Sequence, residues 1–269
     1  MTTHLITGAS SGVGAALARR LAAHDVVLAL AARQEHGLHE VAELCRRSGA
    51  VVLTGSLDVC DETAIADFVQ AAVSKSGRLD SVFANAGIIH AAGDDGLSTG
   101  TARELMNTNY HGAVNTLVPA ARVMSQQGYG TLVAVTSISA LVATHGSAAY
   151  SASKAALMMW TDSLRLSLRG TNVSMTNVVL GFVDTPMTQG MAHAERLWID
   201  ADVAAAQIMK AARQGVAIAS VPRLRNSPWW VLREMPHGIR SFLLERAYRY
   251  FNQAPDVVPG LASPATTDQ

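Results

Sequence analysis

His4-Leu5-Ile6-Thr7-Gly8-Ala9-Ser10-Ser11-Gly12-Val13-Gly14 is the stretch that decides how the rest of the chain is read. A short apolar run, 4–7, enters a turn with three glycines, and a helix-compatible segment, 15–24, follows. Glycines in such a turn let the backbone approach a pyrophosphate, and the N-terminus of the following helix favours its negative charge. The spacing is G-x-x-x-G-x-G, so Gly8, Gly12 and Gly14 form the turn and Ser10, Ser11 and Val13 fill it. A tight turn without a ligand is the competing reading. Its position directly after the first strand weighs against that.

Outward from this turn, short apolar runs alternate with longer amphipathic segments, the pattern of stacked βαβ units. Strands are expected at 4–7, 26–32, 51–55, 81–84, 131–135, 173–179 and 216–220. Helices are expected at 15–24, 35–48, 62–74, 102–125, 149–168 and 200–214, the last with Asp200 as its N-cap. The run 26–32 is nearly all apolar, as a parallel strand covered on both faces should be. The sum is an α/β fold with a doubly wound, seven-stranded parallel sheet flanked by helices, spanning 1–220. Residues 221–252 read as a helical extension of that domain, and 253–269 as a disordered tail.

Composition agrees with this reading and excludes others. The 269 residues are 49% hydrophobic and 16% charged, too apolar for disorder. Basic and acidic residues balance at 21 each, which argues against general nucleic-acid binding. Two cysteines, Cys45 and Cys60, make no disulfide scaffold and suit a reducing compartment. No apolar run reaches the roughly 18–20 residues of a membrane span, and Met1-Thr2-Thr3-His4 does not resemble a signal peptide. The expectation is a cytoplasmic globular protein.

The end of the second strand reads Leu30-Ala31-Ala32-Arg33, with no carboxylate. An acidic residue there would suit the ribose hydroxyl of NAD, whereas arginine accommodates the extra phosphate of NADP. Arg33 therefore favours NADP(H) over NAD(H). Asp58 and Val59, after the third strand, stand where an adenine ring would lie.

Further on, Tyr150-Ser151-Ala152-Ser153-Lys154 sets a phenol and an ammonium one helical turn apart, on one side of a helix. A free phenol, with a pKa of about 10, is a poor base at neutral pH. A nearby cation favours the phenolate and brings it toward working pH. An amphipathic surface pair is the plainer alternative.

Thr7–Gly14, Asn85-Ala86-Gly87, Asn109, Ser137 and Tyr150-x-x-x-Lys154 occur together and in order. Over about residues 3–220 the chain resembles the short-chain dehydrogenase/reductase superfamily in its compact, single-domain form. The resemblance implies a Rossmann-type fold and hydride transfer between NAD(P)(H) and a carbonyl or alcohol. It implies Tyr150 as general acid/base and Lys154 as the residue that binds nicotinamide ribose and lowers the Tyr150 pKa. Ser137 would hydrogen-bond the substrate oxygen, and Asn109 would support a water linking Lys154 to solvent. Asn85, Ala86 and Gly87 would shape the cofactor crevice, with Gly181, Val183 and Thr185 at its nicotinamide end. Leu180-Gly181 replaces the family's Pro-Gly, so a less rigid chain is expected there. Ser11 stands where NADP-preferring members are often basic, which leaves Arg33 to carry the preference almost alone.

The substrate side is less informative. Met187, Met191, His193 and Trp198 fall in a lid-like segment, and Met187, Met191 and Trp198 are the substrate-contact candidates, with His145 bordering the pocket. Residues 221–251 hold six arginines against two glutamates, with Trp229, Trp230 and Phe242 among their aromatics. Two readings stay open for this segment. It packs on the domain or across a subunit interface, or it contacts a membrane surface or a lipid-linked carbonyl substrate through 223–251. The apolar helices 102–125 and 149–168, together with the resemblance, lead to an expected homodimer or homotetramer. The alternatives to a carbonyl reductase or alcohol dehydrogenase are an NADP(H)-binding sensor or scaffold without turnover, and a sugar-lipid epimerase or dehydratase.

Overall fold

A computed structural model describes residues 1–89, 97–143, 146–188 and 198–251, with side chains through 246. The candidates His145, Met191 and His193, and the tail beyond 251, lie outside the described residues.

In chain order the elements are β1 (Thr2–Thr7), α1 (Gly12–Leu21), β2 (Val26–Ala32), α2 (Glu35–Arg47), β3 (Val51–Ser56), α3 (Glu62–Ser76) and β4 (Ser81–Ala84). There follow α4 (Thr99–Met106), a π-helical turn (Asn107–His111), α5 (Gly112–Gln127), β5 (Gly130–Ser137), a 3₁₀ turn (Ile138–Ala140), α6 (Ala148–Ser167) and β6 (Val173–Leu180). The chain continues through β7 (Val183–Asp184), β8 (Ile199–Asp200), α7 (Ala201–Gln214), β9 (Ile218–Val221), α8 (Ser227–Glu234) and α9 (His237–Phe251). The main sheet has seven strands in the order β3-β2-β1-β4-β5-β6-β9, and every pairing in it is parallel. The strand order reverses direction between β1 and β4, which opens a crevice at their C-terminal ends.

Strand periodicity distributes the core to both faces. Ile6, Leu28, Leu30 and Val133 pack with α1, α2 and α7, while their neighbours Leu5, Ala29, Ala31 and Leu132 pack with α3 and α5. Both faces are dry, which is why these strands read as unbroken apolar runs. Truncating fully buried Leu28 to alanine would open a cavity and cost roughly 3 kcal/mol. Both thiols are free, with Cys45 buried and Cys60 exposed.

Two local expectations need correcting. The first helix begins at Gly12, three residues before the expected start, because Gly12 and Gly14 of the Gly-rich stretch already belong to its first turn. The expected helix 102–125 starts at Thr99 and is interrupted by the π turn at Asn107–His111. That turn sits over buried Thr108 and Asn109, and π turns of this kind often mark functional sites. Asp200 does cap α7, accepting hydrogen bonds from the N–H groups of Asp202 and Val203.

Candidate active site

The crevice encloses about 340 Å³ between the Gly-rich turn, the end of β4 and the start of α6. Gly8, Ser10, Ser11, Gly12 and Val13 line its middle, Arg33, Asp58 and Val59 one end, and Ser137, Tyr150, Lys154, Gly181, Val183, Thr185 and Met187 the other. Gly14 does not line it. A side chain there would meet Asn85 Nδ2 at 2.7 Å, so its role is to let α1 come close.

The middle of the crevice suits a diphosphate. Gly8 has φ +67°, and a Cβ on it would meet Ala86 Cα at 2.9 Å, so only glycine fits. Ser11 begins α1 without a side-chain capping bond, and no acidic residue stands in the first turn. The helix therefore presents uncapped N–H groups to the crevice, as anion binding requires. Asn85-Ala86-Gly87 is laced to this turn by Thr7. The Thr7 hydroxyl accepts from the N–H groups of Asn85 and Ala86 at 3.2 Å each, and Asn85 Nδ2 donates to the Thr7 carbonyl at 3.0 Å. The sequence places Thr7 at the head of the Gly-rich motif but gives it no role of its own.

At the β2–β3 end Arg33 and Asp58 face each other at 3.7 Å, both roughly half exposed. The Asp58 carboxylate also accepts from the Cys60 N–H at 2.9 Å. Burial works to raise the Asp58 pKa, but the Cys60 hydrogen bonds and the Arg33 charge together hold it below the usual carboxylate range. Asp58 is thus oriented toward Arg33 and its own loop. Val59 is buried, and its carbonyl accepts from Asn115 Nδ2 at 3.0 Å.

The opposite end is enclosed. Ser137 ends β5 and lines the crevice together with Tyr150, and its hydroxyl accepts from the Ser139 N–H at 3.2 Å. Tyr150 lines the crevice and is half-buried; burial raises its pKa, and the neighbouring Ser137 hydroxyl works against that rise. Burial also lowers Lys154 to about 8. Lys154 Nζ donates to the Val135 carbonyl at 3.0 Å and lies 6.0 Å from the Tyr150 ring centre. The resemblance led to a Tyr150 pKa lowered by Lys154. Here desolvation is the larger influence and moves both groups toward their neutral forms.

Asn109, wholly buried in the π turn, is held by both faces of its amide. It accepts from the Ile88 N–H at 2.8 Å and donates to the Ile88 carbonyl at 3.0 Å and Ser153 Oγ at 3.1 Å. A Cβ on Gly87 would meet Asn109 Oδ1 at 3.1 Å and Lys154 Nζ at 3.2 Å, so these groups converge on one bare backbone position. Ser153, inside the Tyr-x-x-x-Lys repeat, is a positioning group the sequence reading passed over. Thr188 is another: it accepts from the Thr185 N–H at 3.1 Å and donates to the Val183 carbonyl at 2.7 Å, shaping the loop that carries Thr185. Trp198 is not among the residues lining the crevice; its carbonyl instead accepts from Arg225 Nη1 at 2.6 Å.

The C-terminal helices pack on the domain beside this end. Trp229, Trp230, Leu232 and Leu244 cover Ile138, Leu141, Val142, Met158 and Val179. Arg233 lies 5.5 Å over the Trp230 ring, and Trp230 Nε1 donates to Ser220 Oγ at 3.3 Å.

The chain belongs to the short-chain dehydrogenase family, whose model matches residues 2–196. It is 37% identical over 186 residues to an uncharacterized oxidoreductase of Myxococcus xanthus, an alignment covering 69% of this chain and 74% of that protein. It is 33% identical over 248 residues to 11-beta-hydroxysteroid dehydrogenase A of Sesamum indicum, covering 85% of this chain and 70% of that protein. The fold matches the crystal structure of a Burkholderia phymatum short chain dehydrogenase/reductase in complex with NAD, with TM-score 0.78 and 22% identity over 87% and 93% of the two chains. Members of this family are oxidoreductases that bind a nicotinamide cofactor.

Proposed function

We propose that the protein is an NADP(H)-dependent oxidoreductase that moves hydride between nicotinamide and a carbonyl or secondary alcohol, with Tyr150 as general acid/base. The observation that carries the reading is the convergence of Ser137, Tyr150 and Lys154 on one end of the crevice, with Tyr150 and Lys154 one turn apart on α6. Nicotinamide, when bound, supplies the hydride. The chain's own residues handle the substrate oxygen. As the carbonyl carbon gains hydride its oxygen gains negative charge, and Ser137 donates a hydrogen bond to it while Tyr150 transfers the proton. A phenol whose burial favours its protonated form suits this donor role in the reductive direction. Lys154 stands beside Gly87 and Asn109, where it would hold the nicotinamide ribose. Gly8, Ser10–Val13 and Asn85–Gly87 would hold the diphosphate region, and Arg33 the additional phosphate of NADP.

Met187, Pro186, Leu180 and Ile88 give the substrate side an apolar lining. A ketone or aldehyde on an apolar small-molecule or lipid-linked skeleton is the substrate class. The test is oxidation of NADPH, against NADH, over a panel of ketones, aldehydes and lipid-linked keto-sugars. Turnover with NADH equal to that with NADPH would remove the role given to Arg33.

Two exposed faces support the remaining partners. On α6, Met159 and Leu166 stand seven residues apart and more than half exposed, a stripe suited to a homodimer or homotetramer. Light scattering of a Met159→Glu/Leu166→Glu variant should show a smaller particle than the parent. On α9, Leu244 packs inward, while Ile239, Phe242 and Leu243 face outward with Arg246 among them. An apolar outer face with arginine suits a cytoplasmic protein that touches an anionic membrane surface. Phe242→Glu should reduce co-sedimentation with phosphatidylserine vesicles; unchanged partitioning assigns the face to another protein surface. Among the described residues no helix is long and apolar enough to cross a membrane.

A further inference from the structure

One buried side chain from beyond the matched family region packs directly behind Gly181, a residue that lines the enclosed end of the crevice. Asn226, in the turn between β9 and α8, is only 3% exposed. Its Nδ2 donates to the Val179 carbonyl on β6 at 3.2 Å and to the Val221 carbonyl on β9 at 3.1 Å. The Gly181 N–H donates to that same Val221 carbonyl at 2.8 Å. Asn226 therefore ties together the two strand ends from which the Leu180–Gly181 bend emerges.

The fit around Gly181 is equally specific. A Cβ at 181 would overlap Asn226 Oδ1, and the next nearest atoms, Asn226 Cγ and Nδ2, would lie at 3.2 Å. Gly181 is not among the glycines with positive φ, so glycine is required for space and not for conformation. Leu180 pairs in register with Ser137, and both Leu180 and Gly181 line the crevice. A leucine at 180 leaves φ unrestrained where proline would fix it. The expected looseness of this bend is countered by a buried amide that bonds both strands, a costly arrangement to break because the carbonyls would lose their partners. The neighbouring Arg225 holds the Trp198 carbonyl, so one turn of the C-terminal extension braces two segments beside the crevice.

We propose that Asn226 is a positioning residue: it sets the Leu180–Gly181 peptide against Ser137 and Tyr150, and so fixes the seat of the nicotinamide. This rests on the dinucleotide reading of the crevice. A shift of about 1 Å in such a seat can cost on the order of a hundredfold in rate. Asn226→Ala should weaken NADPH binding about tenfold and lower kcat/KM roughly ten- to a hundredfold, with both kcat and KM affected. Gly181→Ala, which keeps Asn226 and adds one methyl against Oδ1, should produce a similar loss. Combining Gly181→Ala with Asn226→Ala removes the overlap with Oδ1, so the double variant should be less impaired than the product of its singles.

The measurements are fluorescence titration with NADPH and with NADH, steady-state constants, and melting temperature. A merely structural Asn226 would lower the melting temperature and leave binding, kcat and KM of the folded protein unchanged; that result overturns the proposal. Multiplicative effects in the double variant overturn it as well. If Asn226→Ala does not fold, Gly181→Ala decides, since unchanged binding and kcat/KM in that variant remove the argument from contact. A parent chain that binds neither NADPH nor NADH overturns the function reading and this role with it, whereas normal parent binding with unaltered variants overturns only the role of Asn226.

Discussion

The two ends of the crevice handle charge in opposite ways. At the β2–β3 end, Arg33 and Asp58 stand 3.7 Å apart with side chains 54% and 42% exposed, and water screens them. At the β5–α6 end Lys154 is 5% exposed, and desolvation alone moves it from 10.5 to about 8. Charge at the first end can choose between ligands at little cost to folding. Charge at the second is held at a cost to folding, which is characteristic of a site arranged for chemistry.

The largest test of that contrast is Tyr150→Phe, which removes the proposed proton donor from the enclosed end. We expect kcat to fall about 10²- to 10⁴-fold while NADPH affinity, read by fluorescence titration, changes little. Persistence of a biological activity in that variant would favour a binding protein without turnover.

Lys154→Met comes next and separates function from stability. Turnover should fall on the order of a hundredfold, yet the variant should melt higher than the parent at pH 7. The folded pKa of Lys154 lies below its unfolded value, so between about pH 8 and 10.5 the unfolded chain holds more protons. Stability of the parent therefore rises through that window, and the gap between parent and Lys154→Met should narrow as pH rises. Parallel melting curves across the window would show that Lys154 is not held at a cost.

Arg33→Ser tests the solvated end. NADPH binding should weaken by roughly three- to tenfold and NADH binding stay as it was. Added salt should shrink the NADPH preference of the parent and leave the effect of Tyr150→Phe untouched. Asp58→Asn should do least, strengthening NADPH binding about twofold by freeing Arg33 from its partner. A loss instead would mean that the carboxylate itself holds the nucleotide.

The same contrast explains what could be read in advance. Gly8, Gly12 and Gly14, Tyr150 and Lys154 were legible because each depends on spacing along one turn or one helix. The pairing of Arg33 with Asp58 was not, since it joins the ends of two adjacent strands. The π turn at Asn109 was hidden because a local change of helix type leaves the apolar pattern of 102–125 intact. The upward pull of burial on the Tyr150 pKa was not legible, because a sequence gives the charge of a neighbour but not the depth of burial that opposes it. The C-terminal arginines and tryptophans read as one basic-aromatic stretch, yet Trp229 and Trp230 turn inward while Ile239 and Phe242 turn outward.

By itself the sequence determined the seven-stranded parallel sheet, the family and the principal crevice residues, because strand period, helix period and glycine placement act over a few neighbouring residues. Tertiary structure alone decided that Thr7 binds the crevice loops, that Asn226 closes against Gly181, and that burial governs Tyr150 and Lys154. Those outcomes depend on groups some twenty to eighty positions apart meeting in a low-dielectric interior, where a hydrogen bond or a lost hydration shell outweighs local preference.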